Sequence, residues 1–159
     1  MSAASNASSV QLATLADAEE IAAMSRDHIE QGLGWSWTVG RVRHSIRDPD
    51  TNVAVVRERE HILAFGIMRY REEMAHLLLF AVRGPHQRRG IGSRVLRWLE
   101  AVAQSAGVTR IDIECRRDNA AARNFYGEHG YHEHVISRGY YRGIEDAVRL
   151  EKWLVAPTD

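Results

Sequence analysis

One stretch limits what this chain can fold into more than any other: an apolar strand hands over to an amphipathic helix through a turn of arginine and glycine. Residues 82–95 read Val-Arg-Gly-Pro-His-Gln-Arg-Arg-Gly-Ile-Gly-Ser-Arg-Val. Ahead of the turn, residues 77–82 form a continuous apolar run of strand length. Behind it, Val95, Leu96, Leu99, Val102, Ala103 and Ala106 recur at helical spacing until Gly107 ends the helix. Gly90 and Gly92 have no side chain to hold a ligand off the backbone. The first N–H groups of the helix lack intrahelical partners and sit at the positive end of its dipole, so an anion is expected there. Five arginines (Arg83, Arg88, Arg89, Arg94, Arg97) and no carboxylate lie between residues 83 and 99, which gives a ligand with several phosphates a locally positive field. The turn is neither common nucleotide motif. No Gly-Lys-Ser/Thr follows, and Val95 and Leu96 stand where a dinucleotide fingerprint has its third glycine.

Composition narrows the class. Lys+Arg and Asp+Glu balance at 21 each, against a protein devoted to nucleic acid or an anionic membrane. With 159 residues, 45% hydrophobic, the chain is expected to be one domain over residues 10–155 behind a frayed tail at 1–9. A single cysteine, Cys115, cannot form an internal disulfide, and no apolar run approaches a membrane span. A reducing, cytoplasmic setting is the simplest expectation, and residues 1–9 lack the pattern of a signal peptide.

In chain order, residues 10–14 are expected as a strand and 17–29 as a helix with Asp17 at its N-cap and Glu20 three residues on. A loop with Trp35 and Trp37 follows, then a helix at 39–47 stopped by Asp48-Pro49-Asp50. Strands at 51–57, 62–70 and 74–82 make an antiparallel set leading into the glycine turn. The strand at 110–116 lies between two helices, which implies a parallel neighbour reached by a crossover. Strands at 131–137 and 147–154, joined by a loop at 138–146, complete the chain.

Period-two alternation over 110–116 puts Ile111, Ile113 and Cys115 on one face and Asp112, Glu114 and Arg116 on the other. On a central strand, Glu114 is expected in a partly desolvated cleft with its pKa raised towards that of a useful base. The competing reading pairs Glu114 with an arginine such as Arg116, and residue pattern alone leaves both open. His129, His132 and His134 lie close together, but no carboxylate or cysteine stands at a ligand spacing, so a solvated face and no metal is expected.

The whole arrangement is more specific than the glycine turn. Gln87-Arg88-Arg89-Gly90-Ile91-Gly92, a long helix, a strand, then Asn119, Ala122, Phe125, Tyr126 and Gly130-Tyr131 resembles the GNAT family of acetyl-CoA-dependent N-acetyltransferases. Within it, the motifs are most similar to bacterial and archaeal members that acetylate protein N-termini, of the ribosomal-protein alanine type. The resemblance implies an α/β GNAT fold: a mixed, mostly antiparallel sheet of about seven strands, flanked by about four helices and splayed in a V between strands 4 and 5. It implies acetyl-CoA as cosubstrate and a primary amine as acceptor, with no metal. By the same resemblance Arg88, Arg89, Gly90, Ile91, Gly92 and Ser93 hold the pyrophosphate, and backbone groups of Phe80, Ala81 and Val82 pair with the pantetheine. Asn119 lies at that arm, Glu114 takes the amine's proton, and Tyr126 protonates the thiolate.

Some roles stay open at this level. His76 is a second base candidate by comparison with histone-type members, or a strand-end surface residue. Tyr126 is otherwise half-buried core, and Asn119 a helix cap. Trp35 and Trp37 either face the acceptor or anchor their loop, and Tyr140 and Tyr141 resemble a tyrosine pair that grips an acceptor peptide. Cys115 faces away from Glu114, against a covalent acetyl-cysteine route. The acceptor is read as a protein or peptide N-terminus, with a small-molecule amine (polyamine, amino acid, antibiotic) as the alternative. A CoA-binding sensor without turnover and a nucleic-acid module are the rivals from other classes. A homodimer through the final strands is an option that no residue decides.

Overall fold

The computed structural model describes residues 9–29, 36–84, 90–141 and 145–154, with the side chains of residue 28 and of 135–146 outside that description. Most of the 1–9 tail, Trp35, and the Gln87, Arg88 and Arg89 part of the glycine turn therefore lie outside the described residues, as do the side chains of Tyr140 and Tyr141.

Seven strands form one sheet: β1 (Val10–Leu12), β2 (Thr51–Glu58), β3 (His61–Arg71), β4 (Met74–Val82), β5 (Arg110–Arg116), β6 (His132–Tyr141) and β7 (Glu145–Trp153), in the order β1-β2-β3-β4-β5-β7-β6. The β4–β5 pair is parallel and all others are antiparallel. Helices α1 (Ala18–Met24) and α2 (Val39–Arg47) cover one face, around Val53, Val55, Phe65, Ile67 and Leu79. Helices α3 (Ile91–Ser105) and α4 (Ala120–Glu128) cover the other, with Leu96 and Leu99 packed over Ala64, Ile111 and Ile113. The sheet thus has two dry faces, which is why β3 reads as an almost unbroken apolar run.

Two details position the site. β4 pairs with β5 only from Met74 to Leu77, against Arg110 to Ile113, yet β4 continues to Val82 and β5 to Arg116. Beyond Leu77 the two strands splay into the expected V. At the same point β3 skips a residue, with Ile67 opposite Leu79 and Met68 opposite Leu77, so Leu78 is an extra residue on β4. That bulge reverses the alternation: Ala75 and Leu77 face α3, whereas Leu79 and Ala81 face α1 and α2. His76 consequently points to the α1/α2 side of the sheet.

Three expectations are refined or corrected. Asp17 holds the N-cap position of α1, but its side chain makes no cap hydrogen bond to that helix. A 3-10 turn at Leu15–Asp17 precedes the helix, and the Asp17 carboxylate accepts from the Thr14 N–H (2.8 Å) and from both ends of the Arg57 guanidinium (2.6 and 3.0 Å). The helix expected to run to residue 29 finishes as a π-turn at Ser25–Ile29. The loop expected at 138–146 is mostly strand: β6 reaches Tyr141, paired with Glu145, and a register shift between Ser137 and Tyr141 absorbs the extra residues. Aromatic residues favour the extended backbone there, and Gly139 marks the irregularity without ending the strand.

Candidate active site

The glycine turn delivers α3 at the open end of the splay. Gly90 has φ 79°, a left-handed conformation that suits glycine, and the first intrahelical bond runs from the Arg94 N–H to the Gly90 carbonyl (3.2 Å). The N–H groups of Ile91, Gly92 and Ser93 precede that bond and are the ones a phosphate would meet. A Cβ on Gly92 would stand 3.0 Å from Val82 Cγ2 and 3.4 Å from the Phe80 ring, so glycine lets the helix start close against the end of β4. Arg83 does not belong to this field. Its Nη2 donates to Glu20 (2.8 Å) and its Nε to the Ile62 carbonyl (3.0 Å), fastening α1 to the end of the sheet.

A link absent from the residue pattern joins α3 to α4. His129 donates from Nδ1 to the Phe125 carbonyl (2.8 Å), which leaves Nε2 to accept from the Ser93 hydroxyl (2.9 Å). His129 is therefore a packed connector, not part of a solvated histidine face, whereas His132 and His134 are exposed. No group of three or more metal-ligating side chains occurs among the described residues. The Phe125 ring stacks on Phe80 at 5.5 Å, with Tyr126 edge-on to both at 5.5 and 6.1 Å.

Tyr126 is buried, and it brings α4 against the part of β4 that has left β5. Asn119 caps α4, its side-chain oxygen accepting from the Ala122 N–H (3.0 Å). Phe80, Ala81 and Val82 lie where β4 has a strand partner, β3, on one side only. Trp37 is in the core under the Arg41 guanidinium (3.8 Å), which favours the anchoring role over acceptor contact.

On the α1/α2 face the structure joins two residues that the residue pattern treats as rivals. The Nε2 of His76 is hydrogen-bonded to Glu114 Oε1, and Arg149 Nε donates to Glu114 Oε2 (3.0 Å). The Glu114 side chain is 6% exposed and that of His76 28%, so the imidazole is the outer member. Arg149 comes from β7, directly opposite Glu114 in register. The expected rise in the Glu114 pKa does not occur. Burial pushes the carboxyl up, but the hydrogen bond and charge of His76, then those of Arg149, outweigh it and hold Glu114 below its usual range. An arginine does pair with Glu114: Arg149, across the ladder.

Cys115 points the other way, into the α3-side core. Burial raises its thiol to about 11, far from the thiolate that nucleophilic chemistry requires.

One parallel pair splays at a bulge, with the start of α3 on one side of the sheet and the carboxylate–imidazole pair on the other. The chain belongs to the acetyltransferase (GNAT) family, whose profile matches residues 17–131. It is 36% identical over 92 residues to the ribosomal protein bS18-alanine N-acetyltransferase of Salmonella typhimurium, a match that covers 56% of this chain and 62% of that relative. The crystal structure of the ribosomal-protein-S18-alanine N-acetyltransferase from Escherichia coli superposes with a TM-score of 0.77 at 25% identity, covering 95% of this chain and 96% of the other. The protein yncA of Salmonella typhimurium, solved with its cofactor acetyl-CoA, shares the fold with a TM-score of 0.79 at 16% identity, covering 97% and 98%. No helix among the described residues is long and apolar enough to cross a membrane.

Proposed function

We propose that this chain transfers the acetyl group of acetyl-CoA directly to the α-amine of a protein or peptide. The observation that carries the reading is the open edge of β4 beyond Leu77, set between the start of α3 and the Glu114–His76 pair. The N–H groups of Ile91, Gly92 and Ser93 would receive the pyrophosphate, joined by Arg88 and Arg89 as the motif implies. Backbone groups of Phe80, Ala81 and Val82 would pair with the pantetheine amides as an added strand, one N–H polarising the acetyl carbonyl. Asn119, although it caps α4, retains amide donors for the same arm.

The amine must be neutral to attack. Both Glu114 oxygens accept hydrogen bonds, and its lowered pKa makes it a weak proton acceptor. We therefore assign proton removal to His76, with Glu114 fixing the imidazole so that Nε2–H donates to the carboxylate and Nδ1 is left to accept. On this reading the two candidate bases act as one unit. The Tyr126 hydroxyl gives a proton to the departing thiolate, which leaves as CoA–SH while the acetyl carbon bonds to nitrogen. The relatives' names favour a protein N-terminus as acceptor over a small amine.

Thiol release from acetyl-CoA, measured against short peptides with free or blocked N-termini, polyamines, amino acids and aminoglycosides, tests the reading. Turnover is expected only with free peptide N-termini. Turnover confined to small amines would overturn the acceptor, and none with any amine would overturn the enzyme reading.

A further inference from the structure

Arg69 stands directly opposite His76 across the β3–β4 ladder, so the two side chains share the α1/α2 face of the sheet. Its Nε is buried and has no hydrogen-bond partner. Among the described residues no carboxylate comes within ion-pair distance of this guanidinium, because those nearby are already taken. Asp48 accepts from the Asp50 N–H and from the Thr51 hydroxyl, both at 2.9 Å. Asp112 is held by Arg110 at 3.0 Å, and Glu114 by His76 and Arg149. A dry, unpaired guanidinium N–H is costly, and buried polar groups are normally satisfied. The Asp48 carboxylate acts on Arg69 through charge alone, without a hydrogen bond, and leaves that N–H unsatisfied.

We propose that Arg69 is the acceptor-side anion site, taking a carboxylate that the acceptor carries close to its amine. Opposite residues in an antiparallel pair lie about 4.5–5.5 Å apart at Cα, and an extended chain advances about 3.3–3.6 Å per residue. An amine held at His76 therefore places the side chain of the next one or two residues within reach of Arg69. The acceptor class is a free N-terminus followed at its second or third position by Asp or Glu, bound through the forked geometry that guanidinium and carboxylate share. The inference rests on the assignment of His76 to the acceptor amine.

The test uses peptide pairs with amidated C-termini that differ only by Glu against Gln, or Asp against Asn, at positions two and three. Both kcat/KM and calorimetric binding to the CoA-loaded protein are measured, for the wild type, Arg69→Gln and Arg69→Lys. The wild type is expected to prefer the acid by about ten- to a hundredfold, the gain of charge-assisted hydrogen bonds. The preference should collapse in Arg69→Gln and survive in part in Arg69→Lys, which keeps the charge and loses the fork. Turnover with equal rates on acid and amide, or an acid preference that persists in Arg69→Gln, would overturn the Arg69 assignment and leave the acetyltransferase reading standing. Acid-dependent binding lost in Arg69→Gln, but with no turnover on any peptide, would uphold Arg69 and overturn that reading. Neither binding nor turnover would overturn both.

Discussion

The two oxygens of Glu114 are each engaged, one by His76 and one by Arg149, so a proton arriving there would displace a charge-assisted hydrogen bond. Its pKa is held down by those partners, so it stays ionised across the neutral range. His76→Gln should lower kcat/KM by about a hundredfold, within the usual reach of general-base catalysis. Full activity in His76→Gln with a comparable loss in Glu114→Gln would return the base to the carboxylate. Tyr126→Phe keeps the ring that packs on Phe80 and Phe125 and should lower kcat with little effect on acetyl-CoA affinity. The alternation at 110–116 was enough to aim Glu114 at the polar face. Its lowered pKa was not legible, because that depends first on His76 and then on Arg149, 38 and 35 residues away and brought beside it only by strand register.

Elements explain why the same turn does two jobs. Gly66, in the middle of β3, lets α3 lie close on the sheet, since a Cβ there would come 2.8 Å from Leu99 Cδ1 and 3.3 Å from Val95 Cγ1. Gly92 does the same at the helix start, and its N–H is one of those that the proposed function assigns to the pyrophosphate. Gly66→Ala should therefore lower stability by about 1–3 kcal/mol through overpacking, seen as a lower denaturation midpoint, and change acetyl-CoA affinity little. Gly92→Ala should show the reverse balance, a clear loss of acetyl-CoA affinity by calorimetry for a smaller loss of stability. Equal effects of both on affinity would separate the turn from the phosphate. Elements with strong local signals were read with their ends almost in place, as for α2, capped by Thr38 and stopped before Pro49, and for β4. The bulge at Leu78, the 3-10 and π turns flanking α1 and the continuation of β6 to Tyr141 were not. Each is settled by a partner strand or by a distant arginine such as Arg57, and not by local propensity.

At the scale of the whole molecule, carboxylates tie the layers together. Asp17 anchors the start of α1 to β2 through Arg57, and Glu114 is locked within the sheet. In both, burial pushes the carboxyl up and the arginine or histidine partners more than offset it, so the folded pKa lies below the ordinary 3.8 and 4.5. A lowered carboxylate contributes stability above its unfolded pKa and loses it as pH falls through the folded value. The denaturation midpoint should thus hold from neutrality down to about pH 5 and drop below that, less steeply in Asp17→Asn. A midpoint that rises on acidification would show that the pairs do not stabilise the fold. The central claim, direct transfer from acetyl-CoA to an α-amine, depends on this architecture turning Glu114 and His76 to one face and Cys115 to the other. The most direct measurement is mass spectrometry of both protein and peptide after incubation with acetyl-CoA and a lysine-containing peptide with a free N-terminus. Acetyl on the peptide's α-amine, with Cys115 unmodified at every time point, is the expected result. Acetyl on Cys115, or acetyl confined to the lysine side chain, would contradict it.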